Sequence, residues 1–104
     1  MTVTHTHPED RALAHVRGLL AVVIEDERLC VDPVLYVVAA FNELDLDGAL
    51  PGVQRPAVPL EPAAALTLAR DLCHDQLRTL DPSRCLGVGR AINHIARALE
   101  GLPA

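Results

Sequence analysis

The stretch LAHVRGLLAVVI, residues 13–24, decides the fold. Leu13, Val16, Leu19, Leu20, Val23 and Ile24 recur at i, i+3, i+6, i+7, i+10 and i+11. A strand, with its two-residue period, would scatter these side chains over both faces, whereas a 3.6-residue helix gathers them onto one. A helix is therefore predicted over about residues 7–27. Thr6 and Glu9 sign its start at capping-box spacing, with Pro8 in the first turn, where a missing N–H is no loss.

Downstream, Asp32-Pro33 reads as an N-cap followed by proline at the first helical position, opening a second helix over Val34–Leu44. Val34, Val37, Val38, Phe41 and Leu44 make one face of it, and Leu35 and Ala39 lie off that face, so the helix is apolar nearly all round. Such a helix belongs in the centre of a bundle or at a subunit interface. The β-branched pair Val37-Val38 also suits a strand, but the Asp-Pro start and the lack of a pairing partner favour the helix. From residue 45 to 62 the pattern gives way to Asp, Gly and Pro51, Pro56, Pro59 and Pro62, which predicts a loop. A third helix carries Leu66, Ala69, Leu72, Cys73, Leu77 and Leu80 on one face. Asp81-Pro82 then repeats the start signal for a fourth, which buries Cys85, Val88, Ile92, Ile95, Leu99 and Leu102. The predicted fold is all-α: one domain over residues 1–104, made of two helical hairpins joined by a proline-rich crossover at 45–62, with residues 1–6 disordered.

A chain of 104 residues suits one core and not two. Half of it is hydrophobic, yet Tyr36 and Phe41 are its only aromatics, so the core has to be built from Leu, Val, Ile and Ala. The mean hydropathy of +0.22 implies more apolar surface than a small bundle hides, which points to an oligomer. All nine basic residues are arginine, a usage that reads as a GC-rich bacterial genome rather than as chemistry. A net charge of −5 opposes phosphate backbones and disfavours nucleic acid as a partner. Cys30, Cys73 and Cys85 are odd in number and lack CxxC spacing, so all three are expected as reduced thiols packed in the core. No signal peptide opens the chain and no apolar run spans a membrane, which leaves the cytoplasm as the expected compartment.

Four constellations bear on chemistry. Glu43, Asp45, Asp47 and Gly48, with Leu50 at the apolar position, resemble the opening of an EF-hand loop, but Gln54 stands where the bidentate glutamate belongs and Pro51-Gly52 block the exiting helix. Cys30, Cys73, Cys85, His15, His74 and His94 are ligand types without ligand spacing, and Cys73 and His74 point about 100° apart on a helix. Asp71 and Asp75 share the face opposite the leucines with His74 and Arg78, which describes a solvated surface rather than an acid–base pair. Gly87-Val88-Gly89 lacks the preceding strand that a dinucleotide site needs; on a helix the glycines permit close backbone approach by a neighbour. Leu86–Arg90, followed by Ile92, Ile95 and Arg97, also resembles the turn and recognition helix of a helix-turn-helix, with Arg90, His94 and Arg97 as its basic stripe.

The expectation is a helical interaction or accessory protein without enzymatic activity, metal or cofactor. It is expected to self-associate as a homodimer through Val34, Leu35, Val38, Ala39 and Phe41 and to bind a protein partner or small ligand. The alternatives are a small transcriptional regulator reading DNA through Arg90, His94 and Arg97, and a metal-binding protein or small enzyme.

Overall fold

The computed structural model describes residues 8–44, 55–80 and 82–102, and these form four helices: α1 (Pro8–Ile24), α2 (Val31–Glu43), α3 (Pro62–Gln76) and α4 (Pro82–Gly101). No strand occurs among the described residues. Contact is most extensive between α2 and α4, then between α1 and α3, then α3 and α4, and least between α1 and α2. The diagonal pairs α1–α4 and α2–α3 make no close backbone approach among the described residues, so the helices form a ring in the order α1, α2, α4, α3. Pro33 at the start of α2 lies against Gly101 at the end of α4, and Arg28 after α1 reaches Glu61 before α3 at 3.3 Å. The ends of α1 and α4 and the starts of α2 and α3 therefore meet at one end of the bundle, and every touching pair is antiparallel. This is the predicted pair of hairpins joined by a crossover. The chain leaves α2 at the far end and is back at the near end by Arg55, whose guanidinium donates two 2.6 Å hydrogen bonds to the Glu25 carboxylate.

The helix boundaries correct the sequence reading at several points. α1 stops at Ile24, short of residue 27, because Asp26 closes a turn: its carboxylate accepts the Arg28 backbone N–H at 3.0 Å and the Arg28 side chain at 2.8 and 3.0 Å. α2 opens at Val31, with Cys30 as an extended N-cap that makes no side-chain capping bond, so Asp32 and Pro33 sit inside the first turn. Proline's missing N–H is harmless anywhere in that turn, so an Asp-Pro pair marks a turn and not a position within it. The crossover ends at Glu61, since Pro62 is already the first residue of α3. Leu77 and Leu80 lie beyond α3, in a turn whose amides switch to i−3 carbonyls at Arg78 and Thr79. α4 does begin at Pro82. The Thr6 cap, Asp81, residues 1–6 and residues 45–54 lie outside the described residues.

The core is aliphatic: Leu19, Leu20, Leu66, Ile95, Val16, Val23 and Val37 are fully buried. The buried row of α2 is Pro33, Val37, Ala40 and Leu44, rotated from the predicted face. Val34 and Phe41 are half-buried on the α1 side, where the Phe41 ring lies 4.4 Å from the Arg17 guanidinium. The rotation has a cause in α4. Gly87, Ala91, Ala98 and Gly101 lie within about 80° of arc on that helix, with the half-buried His94 among them, and Pro33 lies against Gly101, where an added Cβ would sit 3.5 Å from its ring. The small residues on α4 let α2 approach closely there, with Pro33, Val37 and Ala40 turned inward.

Gly89 is a different case, since a Cβ built there meets nothing within 4 Å, against the expectation that both glycines admit a neighbour. Gly89→Ala is accordingly expected to stabilise the chain by about 0.5–1 kcal/mol through helix propensity alone. That raises the thermal midpoint by roughly 2–8 °C in a scanning calorimeter; a lower midpoint would show that a neighbour does sit over this position.

Candidate functional site

Six large hydrophobic side chains stand exposed among the described residues, and three of them, Val31 (70 %), Leu35 (59 %) and Tyr36 (38 %), fall within six positions of α2. The inward rotation of Pro33, Val37 and Ala40 leaves Val31 and Leu35, four apart on the helix, pointing away from the bundle. Beside them Asp32, Leu35, Tyr36 and Ala39 of α2 and His94 of α4 line an open groove of about 520 Å³. Of the residues predicted for an interface, the structure brings Leu35 and Ala39 together at this groove. It leaves Val38 half-buried and places Phe41 and Val34 towards α1. Val31, Tyr36 and the groove position of His94 escaped the sequence reading. With the helix start set at Asp32-Pro33, Val31 lay outside α2, and its i, i+4 relation to Leu35 carried no weight.

The charges flanking the groove are sorted by helix. α2 carries Asp32 and Glu43 and no cation; α4 carries Arg84, Arg90 and Arg97 with one acid, Glu100. Glu43 and Arg90 face each other inside the protomer at 4.0 Å. Asp32 and Arg97 are both exposed and have no ion-pair partner among the described residues. Arg90 and Arg97 do stand exposed on α4, and His94 is half-buried. The turn that a helix-turn-helix needs at Leu86–Arg90, however, is absent, because α4 runs unbroken from Pro82 to Gly101 as its apolar stripe predicts. Val88, Ile92 and Ile95 form one buried stripe through the glycines, and their burial outweighs the glycine propensity cost of about 1 kcal/mol each.

A second groove, about 280 Å³, lies at the near end between Arg28, Leu29, Glu61, Pro62, Ala63 and Leu102. Its cation is already engaged: Arg28 pairs with Asp26 at 2.8 Å and Glu61 at 3.3 Å. The Arg28 side-chain hydrogen bond, seconded by its backbone N–H, holds the Asp26 carboxyl down to about 2.

The thiols divide. Cys73 is fully buried, and burial pushes it up to about 12. Cys85 is half-buried with its sulfur 3.7 Å from the Leu80 carbonyl, and Cys30 is exposed, against the expectation that all three lie in the core. Cys30 surfaces because it precedes α2 at the end of the bundle instead of lying on a packed face. Asp71, His74, Asp75 and Arg78 all stand in solvent. No three His, Cys, Asp or Glu side chains converge among the described residues. The Asp45–Gly48 segment lies outside them. No described helix is long and apolar enough to cross a membrane. No family model, curated protein or solved structure matches the chain.

Proposed function

We propose that this chain is a non-enzymatic helical interaction protein whose working unit is a homodimer formed through the outward face of α2. The observation that carries this reading is the cluster of Val31, Leu35 and Tyr36, large apolar side chains exposed side by side on one helix of a small bundle. Burying one leucine is worth about 1.5–3 kcal/mol, and a two-fold pairing counts each side chain twice. Scaled by the exposure each still has to lose, Val31, Leu35 and Tyr36 on both protomers supply on the order of 5–10 kcal/mol, comparable with an association cost of roughly 4–15 kcal/mol, whereas Leu35 alone supplies less than the lower end of it. The net charge of −5 and the unbroken α4 weigh against a DNA-reading role for Arg90, His94 and Arg97.

Sedimentation equilibrium tests the proposal. The wild type is expected to be dimeric in the micromolar range. Leu35→Glu, which sets a charge into the centre of the patch, is expected to sediment as a folded monomer with unchanged helical circular dichroism. A wild type that remains monomeric at high micromolar concentration, with Leu35→Glu indistinguishable from it, overturns the reading.

A further inference from the structure

Resting on that reading, we infer that the partner is a second copy laid antiparallel, α2 across α2 at the height of Leu35, with Asp32 of each protomer paired to the partner's Arg97. The apolar row supplies adhesion but no register, so the register has to come from the charges around it. The sorting of charge supplies it. α2 is purely acidic and α4 predominantly basic, and one complementary pair, Glu43 with Arg90, is already used inside the protomer. What remains on this face is Asp32 and Arg97, both exposed and without an ion-pair partner among the described residues.

Heights along the bundle follow from the contact of Pro33 with Gly101. At 1.5 Å per residue in antiparallel helices, Arg97 lies level with about Val37, while Asp32 lies one residue beyond Pro33. The two charges are offset by about 7.5 Å, and within the protomer each leans towards its own helix N-terminus and so away from the other, while Leu35 lies about midway between their heights. A two-fold axis in the contact plane, perpendicular to the helices at Leu35, inverts heights. It brings Asp32 of each copy level with the partner's Arg97, diagonally across from α2 to α4. Side chains on a helix lean towards its N-terminus, so Asp32 leans along α2 in the direction in which the inverted copy's Arg97 leans along α4, and the two stay level. The same operation sets Leu35 against Leu35 on the axis and spreads Val31 and Tyr36 around it.

The test uses the full chain in four states: wild type, Asp32→Arg, Arg97→Asp, and an equimolar mixture of the two variants. Both positions are exposed, so helical circular dichroism should be retained throughout. Each variant alone places two like-charged pairs in the dimer and is expected to raise its dissociation constant about tenfold or more. The mixture restores opposite charge at both contacts, and is expected to form heterodimers within about threefold of wild-type affinity, which native mass spectrometry resolves by mass. Rescue on mixing cannot arise from a pair inside one protomer. If the wild type dimerises but either variant alone dimerises as well as it does, or mixing brings no heterodimer, this arrangement is overturned while the homodimer reading stands. If the wild type is monomeric, both fall.

Discussion

Leu66→Ala is expected to remove about 3–5 kcal/mol of unfolding free energy, while Leu68→Ala, the same change two residues along the same helix, removes less than about 1 kcal/mol. Leu66 is fully buried in α3, the helix that packs on both α1 and α4, whereas Leu68 is 39 % exposed. Leucine and alanine differ little in helix propensity, so the comparison isolates burial and the cavity left behind. A domain of this size has roughly 5–15 kcal/mol to lose, so the buried change alone consumes a third or more of it in most of that range. Denaturant titration of both variants provides the check. Equal losses would mean that the outer face of α3 is covered and that Leu68 belongs to an interface.

The second large effect is chemical. Thiol reagents attack the thiolate, and at pH 8 a thiol raised to about 12 is ionised to only about one part in 10⁴. Cys73 is also without solvent access, so its reaction is expected to be slower than that of Cys30 by on the order of a thousandfold or more, and to follow opening of the core. Cys85, half-buried between these extremes, should react at an intermediate rate. Timed labelling with peptide mapping, at low chain concentration where the α2 face is free, reads the order directly. Comparable rates at Cys30 and Cys73 would show that the α3 core opens readily.

The contrast between those two cysteines shows how far sequence could be read. Period and spacing identified all four helices, because α1 and α4 carry apolar stripes at 3.6-residue intervals and the prolines Pro8, Pro33 and Pro82 lie in their first turns. The same stripe placed Cys73 correctly. Cys30 belongs to no stripe, and assigning it to the core followed the habits of the residue type rather than a pattern. α2 was misread in rotation for a related reason. A helix apolar nearly all round has no face of its own, and its inward row depends on the helix it packs against most, α4, some fifty residues away, where Pro33 lies against Gly101. The stripe of Cys85, Val88, Ile92 and Ile95 carried the fourth helix through both glycines, and the turn that the helix-turn-helix alternative needs at Leu86–Arg90 is absent because burial of Val88 and Ile92 overrides local glycine propensity. The groove of Asp32, Leu35, Tyr36, Ala39 and His94 depends on the antiparallel seating of two helices that are distant in sequence, and no spacing within either announces it.

The ring order of the helices has a kinetic consequence. The two most extensive packings, α2 on α4 and α1 on α3, each join one hairpin to the other, whereas α1–α2 is the least extensive of the four. The local turns at residues 25–30 and 77–80 close in well under a microsecond, yet each closes a hairpin that holds little on its own. Stability arrives only when the hairpins dock, through contacts whose mean separation spans the crossover, so loop closure there sets the barrier. The folding nucleus should therefore straddle α2 and α4, and substitutions that weaken their seam, at Ala40 or Ala98, should slow folding, while those at the hairpin turns act mainly on the rate of unfolding.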